Sequence, residues 1–126
     1  MKIVLIEEDE MWVKITRKLF DQQQIIYEVA GLEDDYMKVI QTLKPDLVLI
    51  DILLDIHGDM GTDAIGAFSI LDNIHRKFVN LPVAFLSSDY YEHGKQEALN
   101  KGVIAYLPKP LDDKTLRALK KQLGLD

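Results

Sequence analysis

Short, continuously apolar runs alternate along the chain with stretches whose apolar residues recur every three or four positions. That alternation predicts strands buried on both faces, each followed by an amphipathic helix. The first run, Ile3-Val4-Leu5-Ile6, leads to a helical stripe of Trp12, Ile15, Leu19 and Phe20, with Asp9 placed to cap the helix. Ile25 to Ala30 predicts a second strand, closed by Gly31, and Tyr36, Val39, Ile40 and Leu43 make the next stripe. Lys44-Pro45-Asp46 breaks that helix before Leu47-Val48-Leu49-Ile50, the most apolar segment of all. Ile65, Phe68, Leu71, Ile74 and Phe78 mark a third helix, Val83 to Leu86 a fourth strand, Val103 to Leu107 a fifth, and Leu116, Leu119 and Leu123 the last helix. The helix between Tyr90 and Lys101 is the weakest, since it contains Gly94 and few large apolar residues besides Tyr91 and Leu99; it is expected to be mobile.

Five strands each followed by a helix imply an α/β fold, a doubly wound parallel sheet covered on both faces. Ligands of such sheets bind outside the carboxyl ends of the strands, near the switch in strand order. No repeat or long linker interrupts the alternation. The longest irregular stretch runs from Asp55 to Asp63 and contains Gly58 and Gly61.

Composition narrows the class. With 126 residues and 48% hydrophobic content the chain suits one domain, residues 1–126, with a core that needs no staples. Cysteine is absent, which excludes disulfides and thiolate chemistry. Acids follow the first apolar run too closely for a signal peptide, and no run nears the roughly 20 apolar residues that span a bilayer; a cytoplasmic protein without membrane contact is the expectation. The net charge of −6 argues against direct nucleic-acid binding. Lys114, Arg117, Lys120 and Lys121 cluster among acids and read as a solvated helix face.

The chemistry gathers where strands end. Asp51 closes the most apolar segment, where a carboxylate is costly unless it is used. Glu7-Glu8-Asp9 follow the first strand, Ser87-Ser88 the fourth, and Lys109 follows the fifth between Pro108 and Pro110. Taken singly, the acids could do no more than favour a helix start, and Ser87 could be a plain strand-end hydroxyl. Taken together, acids, hydroxyl and lysine make up the set that a metal-dependent phosphoryl-acceptor site requires. Trp12 reads as core or helix surface, and His57, His75 and His93 have no metal-ligand spacing.

These residues resemble the receiver domain of two-component response regulators. Ile6-Glu7-Glu8-Asp9, Pro45 to Asp51, Leu86-Ser87-Ser88 and Gly102 to Pro110 occur in the family's order. The resemblance implies a flavodoxin-like fold of strand order 2-1-3-4-5, not an enzyme with a separate substrate but a phosphoacceptor. Asp51 would take the phosphoryl group from a sensor histidine kinase or a histidine phosphotransfer protein. Magnesium, or manganese, would be held by Glu7, Glu8, Asp51 and the backbone carbonyl of Leu53. Lys109, Ser87 and Ser88 would surround the phosphoryl group, Tyr106 would act as the rotamer switch, and the peptide before Pro110 would be cis. Output would pass to a protein target through the face of the fourth helix, fifth strand and fifth helix, with no output domain in this chain.

Some positions depart from the family pattern. Glu8 stands where aspartate is usual, and its additional methylene shifts the carboxylate by about 1.5 Å, enough to weaken an octahedral magnesium site. Asp55 replaces a usual proline and, with Asp59, adds negative charge near the site. Leu53 and Asp89 occupy positions that influence phosphoaspartate hydrolysis in the family. Two rivals follow: a pseudo-receiver acting as a phosphorylation-independent interaction module, and a flavodoxin-like nucleotide-binding protein or small phosphohydrolase. The second lacks a glycine-rich phosphate loop after the first strand.

Overall fold

The computed structural model describes residues 1–31, 35–52, 60–88 and 92–125, the side chains of residues 60–65, 92 and 93 excepted. Strands β1 (Lys2–Ile6), β2 (Ile26–Ala30), β3 (Leu47–Ile52), β4 (Val83–Ser87) and β5 (Ala105–Pro108) alternate with helices α1 (Glu10–Gln22), α2 (Tyr36–Leu43), α3 (Met60–Lys77), α4 (Glu92–Asn100) and α5 (Asp113–Gln122). All pairings are parallel, in the order β2-β1-β3-β4-β5. The chain moves outward from β1 to β2 and returns to lay β3 on the other side of β1, so the switch in order falls between β1 and β3.

Alternation along the strands builds two cores. Val4, Ile6, Val48, Ile50, Val83 and Phe85 point to one face and pack with Ile40 of α2, Leu71 and Ile74 of α3, and Ala98 of α4. Ile3, Leu5, Leu47, Leu49, Ala84 and Leu86 point to the other and pack with Phe20 of α1 and with Leu116 and Leu119 of α5. Every residue of β3 is buried, as a central strand covered on both faces requires. Each fully buried large aliphatic side chain contributes about 1.5–3 kcal/mol relative to exposure.

One helix face and two strand boundaries differ from the expectation, each for a local reason. The α1 stripe is rotated: Ile15 is 41% exposed, while Thr16 and Phe20 are buried. Thr16 tolerates burial because its hydroxyl donates to the Trp12 carbonyl at 2.8 Å. Ile25 belongs to the turn after α1, its N–H donating to the Phe20 carbonyl at 2.9 Å, so β2 starts at Ile26. Gly102 turns the chain at φ 108°, which keeps Val103 out of β5, and the strand runs on to Pro108. The last helix begins as its acids suggest: Asp112 caps it, accepting from the Thr115 N–H at 2.7 Å.

Candidate functional site

The carboxyl ends of β1, β3 and β5 bring three charged side chains together. Glu7 follows β1 and its N–H donates to the Ala30 carbonyl at 3.0 Å, locking the strand end in place. Asp51 lies within β3, opposite Leu86 of β4. Lys109 follows β5, and its backbone is set by the proline before it: Pro108 has no N–H to offer, and the Ser87 carbonyl accepts from the Lys109 N–H at 2.8 Å. The Lys109–Pro110 peptide is cis.

The triad is desolvated, with side-chain exposures of 1% for Glu7, 2% for Asp51 and 5% for Lys109. The Lys109 ammonium donates to Glu7 Oε1 at 2.7 Å and forms an ion pair with Asp51 Oδ1. Glu7 is pinned from behind, since its Oε2 accepts from the N–H groups of Glu8 at 3.0 Å and Asp9 at 3.3 Å. Asp51 is not. Apart from the Lys109 ion pair, neither of its buried oxygens has a hydrogen-bond partner among the described residues, a costly state for a carboxylate. Burial, and next the neighbouring Glu7 carboxyl that favours a shared proton, push the Asp51 carboxyl up to about 7 against the opposing pull of Lys109.

The remaining candidates divide into near and far. Ser87, fully buried, ends β4 in register with Ile52 and Pro108, and the exposed Ser88 follows it. Tyr106 is buried in the core shared with α3 and α4, opposite Phe85. Glu8 is exposed, and Asp9 is committed to the α1 cap, accepting from the Met11 N–H at 2.8 Å and the Trp12 N–H at 3.4 Å. Among the described residues no three His, Cys, Asp or Glu side chains assemble as a metal-ligand group. Leu53, Asp55, Asp59, Asp89, Tyr90 and Tyr91 lie outside the described residues. Even so, the Glu7 and Asp51 pair suits an oxygen-seeking divalent cation: two buried carboxylates repel each other, and among the described residues the Lys109 ammonium is the one group that meets the Asp51 charge.

Trp12 carries a feature that its sequence position hides. Its ring lies beneath the Lys109 ammonium, 4.8 Å from Nζ to the ring centroid. The only signal in the sequence is its place one turn beyond the acidic cluster. Two concavities lie elsewhere and include no triad residue: a groove of about 520 Å³ beside β2 and α2, and one of about 470 Å³ between the carboxyl ends of α2 and α3.

Comparison with known proteins agrees with this fold. Residues 3–121 match the response regulator receiver domain, and the chain belongs to that family. Family membership places it in phosphorelay signalling, with histidine kinases or phosphotransfer proteins as the class of partner. A two-component response regulator from Clostridium difficile is 22% identical and superposes with a TM-score of 0.76, covering 98% of this chain and 95% of that one. The BeF3-activated N-terminal receiver domain of Klebsiella pneumoniae RstA is 24% identical, with a TM-score of 0.73 and 98% of each chain covered. The N-terminal domain of the nisin resistance regulator NsrR, a lantibiotic response regulator, is 27% identical, with a TM-score of 0.69 and coverage of 97% and 96%. No curated protein matches the chain by sequence. Among the described residues no helix is long and apolar enough to cross a membrane.

Proposed function

We propose that this receiver domain accepts a phosphoryl group on Asp51 from a phosphohistidine of a sensor kinase or phosphotransfer protein in the cytoplasm. The observation that carries this reading is a carboxylate buried at the carboxyl end of β3 whose charge, among the described residues, is met by the Lys109 ammonium alone. An Asp51 oxygen forms the new bond to phosphorus as the bond from phosphorus to the imidazole nitrogen breaks. The leaving nitrogen keeps the electron pair. Lys109, already paired with Asp51, follows the negative charge onto a phosphoryl oxygen. The Ser87 hydroxyl donates to another, and the small Ser88 leaves room. Glu7 and Asp51, with Glu8 and the Leu53 carbonyl, would hold magnesium or manganese, which when bound supplies positive charge against the transferring group. Ser87 and Tyr106 then couple the site to the face formed by α4, β5 and α5, which a target protein reads.

A second reading is favoured by one observation: Glu8 is exposed, whereas Glu7 and Asp51 are buried. A pseudo-receiver would keep the fold and a partner surface without phosphorylation. Acetyl phosphate with magnesium decides between the two. Intact-protein mass spectrometry should show one added phosphoryl group on the parent and none on Asp51→Asn. An unchanged parent mass across several donors and metals would establish the pseudo-receiver.

A further inference from the structure

We propose that Trp12 is a positioning residue for Lys109, holding its ammonium against the Glu7 and Asp51 carboxylates and so opposing entry of a divalent cation; the metal part rests on the function proposed above. An ammonium has three N–H donors and, when buried, needs a favourable neighbour in every direction it faces. Glu7 Oε1 takes one donor at 2.7 Å and Asp51 Oδ1 neighbours the group on another side. With only 5% of the side chain exposed, water has little access to what remains. The indole of Trp12, 4.8 Å from Nζ to its centroid, supplies that wall. Its π-face carries partial negative charge, so it attracts the cation without adding a further anion to a site that already holds two.

The backbone that carries the indole is itself held. Asp9 caps α1 by accepting from the Trp12 N–H at 3.4 Å, and the Trp12 carbonyl accepts from the Thr16 hydroxyl at 2.8 Å, which fixes this turn of the helix. The Lys109 backbone is fixed at the end of β5, where its N–H donates to the Ser87 carbonyl of the neighbouring strand. The ammonium therefore sits between two rigid elements, α1 and the end of β5. Two positive charges cannot share a pair of carboxylates without repulsion, so a divalent ion at Glu7 and Asp51 must push the ammonium away. Whatever stabilises the ammonium where it lies weakens that ion by the same free energy.

The test has one arm that needs neither metal nor phosphodonor. In metal-free protein, NMR should find the Lys109 side-chain protons nearest the ammonium shifted upfield by the indole ring current; Trp12→Leu should return them to ordinary positions, and Trp12→Phe should leave a smaller shift. Absence of the upfield shift in the parent overturns the proposal whether or not Asp51 accepts a phosphoryl group. In the second arm, manganese binding is followed by electron paramagnetic resonance. Trp12→Leu should bind manganese roughly 2- to 30-fold more tightly than the parent, the range of a cation–π contact from exposed to desolvated, with Trp12→Phe between them. In a Lys109→Gln background Trp12→Leu should have no effect. Unchanged or weaker binding in Trp12→Leu, or an effect that survives in Lys109→Gln, overturns the proposal. If the parent binds no manganese, the metal reading of the site fails, and the ring-current arm alone decides the role of Trp12.

Discussion

At the scale of single residues, Asp51 is held in a state that costs stability once its carboxyl ionises. Its carboxyl is raised to about 7 by burial and by Glu7, so between about pH 4 and 7 the folded protein keeps a proton that the unfolded chain has released. The stability tied to that proton is present at low pH and lost as the pH rises through about 7. Asp51→Asn removes the ionisable group. The metal-free variant should therefore be more stable than the parent at pH 8, by on the order of 1–4 kcal/mol at about 1.4 kcal/mol per pKa unit, and the difference should vanish toward pH 4. Urea unfolding at the two pH values measures it. A parent as stable as the variant at pH 8 would mean that Lys109 fully compensates Asp51. The residues of this cluster were legible because a carboxylate or lysine at the end of an apolar strand violates the expected pattern. The contact between Trp12 and Lys109 was not, because an aromatic on a helix fits the pattern whether it meets core or cation. Nor does the sequence say which acid of Glu7-Glu8-Asp9 turns inward; the structure gives Glu7 to Lys109, Asp9 to the helix cap and Glu8 to the surface.

At the scale of elements, α1 links the fold to the site. Asp9 satisfies the first N–H groups of the helix, and Asp9→Ala should cost about 1 kcal/mol, a fall of roughly 3–5 °C in melting temperature. Asp9→Asn should restore most of it, since the amide oxygen also accepts. Differential scanning calorimetry distinguishes these outcomes; an Asn variant as unstable as Ala would show that charge rather than the cap bond matters. Strands read clearly from sequence because continuous apolar runs bounded by Gly, Pro and acids admit few alternatives. Helix faces read less clearly. The periodicity of α1 is satisfied about equally by a stripe through Ile15 or through Thr16, and apolarity alone selects Ile15. The structure selects Thr16, whose hydroxyl finds a partner inside its own helix. The start of β5 was missed for a similar reason, since Val103 is apolar and buried but belongs to the turn at Gly102.

At the scale of the whole molecule, the two cores are unequal guardians of the sheet. The β1, β3 and β4 strands are packed on both faces, whereas among the described side chains of α4 one, Ala98, is buried, with Leu99 partly buried against the same core. Local stability follows such packing, so α4 is poorly placed to resist a push from the site. Ser87 and Tyr106 lie between that push and α4: Ser87 ends β4 fully buried, and Tyr106, opposite Phe85, is buried beside the residues that hold α4. Because Tyr106 is already inside, a phosphoryl group that draws Ser87 toward Asp51 leaves little room for a large swing of the ring. The change should instead appear as altered packing of α4 against β5, passed on to α5. Beryllofluoride, a mimic of the phosphoryl group proposed for Asp51, should therefore change hydrogen exchange most between Ser88 and Leu119, with β1 and β3 nearly unaffected. A partner that reads this face can shift the equilibrium only by binding one form more tightly than the other, so the same region should be protected in its complex. Exchange differences confined to residues 53–63 would reject the route through Ser87 and Tyr106 and assign signalling to the segment that follows Asp51.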